Sequence, residues 1–207
     1  IGGSAYTNTV DGDTITMRDA LIGNGLKTEA QLKVINEGGS ISVSENNGIP
    51  AISVSDADAV TLLFACGTDY KMELPAFRGE DPHAAVTGRI LAAAQKGYEA
   101  LKADHIADHA ALFSRMKLGF NEEIPQLPTD ELIRKYTNMV ENNGGEIPTE
   151  TEQRALEVMC YQFGRYLTIA GSREGALPTN LQGVWGEGAF TWYGDYHFNI
   201  NVQMNYW

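Results

Sequence analysis

Up to residue 80 the apolar residues fall in strand-like segments, with a two-residue alternation at Leu26–Val34, and between Asp81 and Gly171 they recur at every third or fourth position. A two-residue period lines one face of a strand, and a 3.6-residue period lines one face of a helix. A chain that completes its strands before it starts its helices cannot build alternating βαβ units, so an α+β multidomain fold is expected. Its 207 residues are enough for one large domain or two small ones.

The strands are punctuated by turn signals. Asp11-Gly12-Asp13 precedes Thr14–Met17. From Leu26 to Val34 one row carries Leu26, Thr28, Ala30, Leu32 and Val34, and the other carries Lys27, Glu29, Gln31 and Lys33. That alternation predicts a strand with one apolar and one wet face. Gly38-Gly39 turns the chain into Ser40–Ser44, and Asn47-Gly48 is a hairpin signal leading to Ile49–Ser55. Ala59–Cys66 is continuously apolar and predicts a central strand buried on both faces. Antiparallel strands on short turns imply a sandwich. Residues 1–80 hold too few to close one, so they are expected to be the C-terminal part of a larger N-terminal β domain.

Asp81-Pro82 opens the helical part, with proline at a first helical position. Ile90, Leu91, Ala94, Tyr98, Leu101, Leu112, Phe113 and Met116 keep helical spacing, and Gly97 divides them into two helices. Another helix is expected from Thr129-Asp130-Glu131. After an Asn- and Gly-rich loop (141–148), Glu150–Ala170 carries Leu156, Met159, Cys160, Phe163, Leu167 and Ala170 on one stripe, ended by Gly171. The order implies two domains joined by a helical linker.

Charge narrows the partners. Fifteen Lys+Arg against 27 Asp+Glu give a net charge of -12, with no basic patch, which disfavours nucleic acid and anionic membrane surfaces. No apolar run approaches the roughly 20 residues that span a bilayer, so no membrane insertion is expected. Cys66 and Cys160 are expected to be buried free thiols. The chain starts at Ile1 without a basic-then-apolar leader, so either a leader has been removed or the sequence begins within a longer protein.

The chemistry concentrates at the end. All three tryptophans (Trp185, Trp192 and Trp207) fall in residues 180–207, among Asn180, Gln182, His197, Asn199, Asn201 and Gln203. In extended backbone His197, Asn199, Asn201 and Gln203 share one side, and Tyr196, Phe198, Ile200 and Val202 share the other. Amides both donate and accept, as sugar hydroxyls do, and indole and phenol rings pack on sugar C–H faces. The inventory is that of a sugar site; the alternative is amides that merely satisfy loop backbone. A glycosidase needs two carboxylates as well, since an amide can orient water but cannot take its proton. His105, Asp108 and His109 share a helix face. The position after His105 is Ile106 rather than the glutamate of a zincin, and no third ligand is near, so no metal is expected. No G-x-S-x-G elbow and no phosphate-binding glycine loop occurs.

Three pieces, YQFGRYLTIAGSR (161–173), LPTNLQGVW (177–185) and YHFNINVQMNYW (196–207), resemble glycoside hydrolase family 95, the inverting α-L-fucosidases and their α-L-galactosidase relatives. HIADHAALFSRMKLGF (105–120) and LPTDELIRKY (127–136) resemble the family's linker and following helix, whereas the β part fits its N-terminal sandwich only loosely. The resemblance implies a β-sandwich portion (1–80), a helical linker (81–126) and the first helices of an (α/α)6 catalytic barrel (127–207). It implies that Asn199 and Asn201 are catalytic, positioning the attacking water and supporting the general base. His197 would contact the sugar, with Trp185, Trp192, Asn180 and Gln182 also on the substrate.

The implied substrate is a fucosylated oligosaccharide or glycan with terminal α-1,2-linked fucose, and no cofactor is expected. The general acid, the base, the rest of the barrel and a C-terminal domain would lie beyond Trp207, in a protein that is bacterial and secreted or periplasmic. The segment GEGAFT (186–191) is shorter than its counterpart in many relatives and lacks proline, which leaves α-L-galactosidase as the alternative sugar specificity. Outside this class stand a non-catalytic carbohydrate-binding fragment and a structural piece of an assembly.

Overall fold

The structure, a computed structural model, describes residues 7–184 and 194–207. The strands are β1 (Thr7–Asp11), β2 (Thr14–Ala20), β3 (Lys27–Glu37), β4 (Ser40–Asn46), β5 (Ile49–Ser55) and β6 (Ala59–Thr68). The helices are α1 (His83–Lys96), α2 (Tyr98–Phe113), α3 (Thr129–Glu141), α4 (Glu150–Gly171) and α5 (Asn201–Met204). Antiparallel sheets followed by helices make the chain α+β. It divides into two compact units within α2, after His105.

In the first unit β1-β2-β3-β6 form one antiparallel sheet, and β4-β5 form a separate two-stranded one. Asn47 and Gly48 both take positive φ, as a tight two-residue hairpin demands, and Asn46 pairs with Ile49 across it. Gly39 sits where β3 hands over to β4. Its φ is +62° and a Cβ there would stand 2.2 Å from the Ser55 carbonyl oxygen, so only glycine fits.

Helix α1 lies on β3 and β6. Its Val86 and Ile90 are buried, each contributing about 2 kcal/mol of apolar burial. Val86 approaches so closely that a Cβ on Gly67 would meet its Cγ2 at 3.0 Å. The face under α1 is the row that alternation marked as wet. Glu29 and Gln31 are 2% and 3% exposed. The polar row is covered because the helix and β2 bring partners to it. Gln31 Nε2 donates to Thr87 Oγ1 at 2.8 Å and to Glu29 Oε1 at 2.7 Å. His83 Nδ1 lies 2.8 Å from Glu29 Oε1, and Arg18 Nε lies 3.1 Å from Glu29 Oε2. Asp81, which accepts the His83 backbone N–H, also holds Arg18 and Lys27.

Strand β6 corrects a second expectation. It is an edge strand of the described sheet, and Val60, Leu62 and Phe64 are exposed rather than buried on both faces. Continuous apolarity measures how much surface a strand can bury, not how many neighbours it receives. Cys66, on the same strand, and Cys160 are free but exposed, against the expected burial.

Gly97 makes the expected break between α1 and α2, and the C-terminal half of α2, from Ile106, begins the second unit. Arg165 of α4 closes its end: Nη2 donates to the Phe113 carbonyl at 2.8 Å, and the guanidinium lies 4.5 Å from the Phe113 ring centre. A cation there complements the negative end of the helix dipole. Asp108 of α2 pairs with Arg173.

Helix α3 buries Leu132 to 1% exposure. Its Lys135 reaches Glu146 at 2.8 Å and Glu152 at 3.3 Å. The Glu146 bond, joined by Glu152, holds the Lys135 ammonium above its usual value against the opposing effect of burial. Helix α4 starts with a capping box: Glu152 N–H donates to Thr149 Oγ1 at 3.2 Å, and Thr149 N–H donates to Glu152 Oε2 at 2.7 Å. The Thr149 amide, with Lys135, lowers the Glu152 carboxyl. The buried α4 residues are Ala155 and Val158. Of the expected stripe, Met159, Cys160, Phe163 and Ala170 are exposed while Leu156 and Leu167 are half-buried, because the side of α4 that is buried is the one carrying Ala155 and Val158.

Candidate functional site

The site residues lie on two segments that follow α4. The helix closes with the Ser172 N–H on the Thr168 carbonyl at 3.0 Å. Pro178 then leads into Thr179, which is 9% exposed, and into a tight turn at residues 180–183. Asn180 builds that turn twice over. Its side-chain Oδ1 accepts the Gln182 N–H at 2.9 Å, and its carbonyl accepts the Gly183 N–H at 3.1 Å. Asn180 is half-buried and Gln182 is exposed.

The second segment, 194–207, returns alongside the first. Leu181 N–H donates to the Asp195 carbonyl at 3.2 Å, and Tyr196 Oη donates to the Pro178 carbonyl at 2.8 Å. Tyr196 and Phe198 stack with ring centres 6.1 Å apart. The chain then winds rather than extends. Val202 N–H reaches the His197 carbonyl at 3.1 Å, Met204 N–H the Ile200 carbonyl at 2.9 Å, and Asn205 N–H the Asn201 carbonyl at 3.1 Å. Gln203 Nε2 donates to the Phe198 carbonyl at 2.9 Å, using its side chain to stitch the winding.

The shared polar side expected of an extended 196–203 therefore does not form. Two-residue alternation places side chains only if the backbone is extended, and here local hydrogen bonds favour a turn and a short helix. The structure instead sets Asn199 in the exposed turn before α5 and Asn201, half-buried, at the first position of α5. Among the described residues no hydrogen bond consumes either side-chain amide, so both retain donors and acceptors for a ligand. His197 is half-buried at the start of this winding. Trp185 and Trp192 lie outside the described residues.

Two residues that residue chemistry alone did not single out tie the segments together. Asn205 Nδ2 donates to the Asn180 carbonyl at 2.8 Å and the Thr179 carbonyl at 3.3 Å. The Tyr206 hydroxyl accepts the Thr179 N–H at 2.7 Å and lies 3.2 Å from Thr179 Oγ1 and 2.8 Å from Ser172 Oγ. Burial alone would raise this phenol. The hydrogen bonds with Ser172 and with the Thr179 hydroxyl and amide outweigh that and hold it below the usual tyrosine value. Their one signal in the sequence is Thr179, a threonine between Pro178 and Asn180 whose burial requires polar partners.

A cavity of about 690 Å³ lies between α4 and the chain end, lined among others by Tyr161, Arg165, Thr168, Ser172 and Tyr206. None of Asn180, Gln182, His197, Asn199 and Asn201 lines it. Of the two histidines on this face of α2, His109 packs: its ring lies 5.1 Å from Phe113 and 5.5 Å from Tyr166. Among the described residues no group of three His, Cys, Asp or Glu could hold a metal, and no helix is long and apolar enough to cross a membrane.

Comparison with known proteins adds the chemistry of relatives. Residues 97–207 match the model of the glycosyl hydrolase family 95 catalytic domain. A probable alpha-fucosidase A of Aspergillus niger is 36% identical over 157 residues, covering 72% of this chain and 18% of that protein. Alpha-L-fucosidase 2 of Arabidopsis thaliana is 33% identical over 187 residues, 88% of this chain and 21% of that protein. A probable alpha-fucosidase A of Aspergillus oryzae is 33% identical over 169 residues, 78% and 22%. The chain thus spans about a fifth of the length of these relatives.

Proposed function

Because this chain belongs to glycoside hydrolase family 95, we propose that it carries part of the active site of an enzyme that removes terminal α-1,2-linked L-fucose from glycans with inversion. The observation that carries the reading is the pair Asn199 and Asn201, held on a hydrogen-bonded turn with both amides unspent. An amide oxygen accepts from an attacking water while an amide nitrogen donates to a neighbouring carboxylate. The pair therefore orients the water and the base, and the base takes the proton. A carboxylic acid on the other side of the bond protonates the leaving oxygen in the same step. Both carboxyl groups come from elsewhere in the intact enzyme.

His197, Asn180 and Gln182 bind sugar hydroxyls in this reading, and Trp185 and Trp192 pack on the sugar's apolar face. The alpha-fucosidase names of the relatives support fucose over L-galactose. Residues 1–80 belong to a β-sandwich, a reading supported by the exposed Leu62 and Phe64, which offer a face to further strands. Residues 81–126 form the linker and residues 127–207 start an (α/α)6 barrel. The reaction needs no cofactor, and the enzyme meets its glycans outside a bacterial cell or in its periplasm.

The test is proton NMR of the first sugar released by the intact enzyme from a 2-O-α-L-fucosyl galactoside. β-L-Fucose as the initial anomer is expected. Initial α-L-fucose refutes the single-displacement mechanism, and no fucose release refutes the activity. Preferential release of L-galactose from the matching galactoside reassigns the sugar.

A further inference from the structure

We infer that Tyr206 is a positioning residue for Asn201, acting through the hydrogen bonds that fasten α5 to the end of α4 and to the Thr179–Asn180 segment. The inference rests on the reading of Asn201 given above. Tyr206 belongs to the same winding as Asn201: its N–H reaches the Gln203 carbonyl at 3.1 Å, and the Asn205 N–H before it reaches the Asn201 carbonyl at 3.1 Å. Any shift of the phenol is therefore passed to Asn201 through a single helical turn. At its far end the hydroxyl meets three groups at 2.7–3.2 Å, the Thr179 amide, the Thr179 hydroxyl and the Ser172 hydroxyl. A phenol has one proton to donate and room for two acceptances, so these three partners exhaust it. A fully used hydroxyl has one preferred position, which makes it a fixed point rather than a sliding contact.

Thr179 is the anchor. The residue is 9% exposed, and Tyr206 is the acceptor its N–H finds. Asn205 grips the same segment from the next residue, on the Thr179 and Asn180 carbonyls. Consecutive side chains thus hold one strand of backbone by its donor and its acceptors together. Asn180, a proposed sugar contact, is fixed against the helix that carries Asn201. The arrangement sets the distance between sugar-binding and water-holding amides. An error of about 1 Å there is enough to cost on the order of a hundredfold in rate.

Tyr206→Phe keeps the ring and removes only the hydroxyl. The test compares it in the intact enzyme with Asn201→Ala and with the double variant, by kcat and KM on a 2-O-α-L-fucosyl galactoside. Single-turnover conditions serve where turnover is slow, and thermal unfolding is recorded in parallel. The expected result is a fall in kcat of about tenfold for Tyr206→Phe, consistent with one buried donor left unpaired. KM should change less than kcat, and the same substitution should cost less than twofold in the Asn201→Ala background. Ser172→Ala, which leaves the Thr179 bonds in place, should lower kcat by about threefold and serves if the phenylalanine variant fails to fold.

Wild-type kcat in Tyr206→Phe, or in Ser172→Ala when that variant stands in, overturns the inference. So does an equal fold-loss in both backgrounds, which would mark a structural role independent of Asn201. Full turnover by Asn201→Ala itself overturns the reading of Asn201 and the inference with it. An Asn201→Ala collapse beside an unaffected Tyr206→Phe overturns the inference alone.

Discussion

The cluster under α1 makes a prediction whose sign is counter to simple charge counting. Glu29 has a side chain with no exposed surface, whereas its partners Arg18 and His83 are 41% and 54% exposed. Removing one end of the pair is therefore not equivalent to removing the other. In Arg18→Met the buried carboxylate loses its cation and keeps only His83 and Gln31. Leaving a buried charge uncompensated costs about 3–5 kcal/mol, and the remaining partners put this case at the lower end, about 3 kcal/mol. In Glu29→Gln the buried charge disappears, the shape is kept, and Arg18 and His83 fall back on water and on Asp81. What is lost is the charged character of hydrogen bonds to Gln31 and His83, about 1 kcal/mol net. Urea unfolding of the intact protein at neutral pH, following the transition of the β domain, should thus rank Arg18→Met as more destabilising by about 2 kcal/mol. Equal losses, or a larger loss for Glu29→Gln, would show that the carboxylate is solvated in the native state and that the burial argument is wrong.

Other consequences follow from single contacts. Thr149→Ala removes one half of the α4 capping box and should lower stability by about 1 kcal/mol in the same unfolding assay, while Thr149→Ser should be near neutral. Asp13 is raised by partial burial but lowered more strongly by its bonds with Lys33, at 2.5 and 2.6 Å, and with Thr14. Its folded pKa is below the unfolded one, so its contribution is present above the unfolded value of about 3.9 and is lost as pH falls through the folded value. Lys33→Met should therefore destabilise at neutral pH and cost much less at about pH 2.5, as read by urea midpoints at the two conditions. Asn199→Gly in the intact enzyme should cut kcat at least tenfold with a smaller change in KM, because an interaction made in the transition state is removed.

What the amino-acid order revealed by itself was whatever depends on neighbours a few residues apart. The Asn47-Gly48 hairpin, the break at Gly97 and the bounds of α3 and α4 are local events, set by turn chemistry, by a missing side chain and by helical period. The failures share another cause. Which face of β3 is buried depends on Thr87 and His83, more than fifty residues away in sequence, offering partners to Gln31 and Glu29. Whether 196–203 extends or winds depends in part on Asn205 and Tyr206 finding Thr179 and Asn180, about 26 residues back. At β3 the alternation implies a wet row because no partner for it is visible along the chain, and at 196–203 it implies an extended backbone for the same reason.

Burying polar groups is costly unless every one is paired, and that cost explains where this fold places them. The Glu29 cluster fastens a helix to a sheet, and the Thr179 cluster fastens the turn at 180–183 to the helix of Asn201. An apolar contact in either place would fix orientation less sharply, since the attraction between apolar groups is non-directional. A hydrogen bond between a buried donor and a fixed phenol is directional, because misalignment leaves the donor unpaired. The amides proposed to hold the water stay free for that reason: their position is set by Asn205, Tyr206 and Gln203, so Asn199 and Asn201 need not spend their own hydrogen bonds on holding themselves.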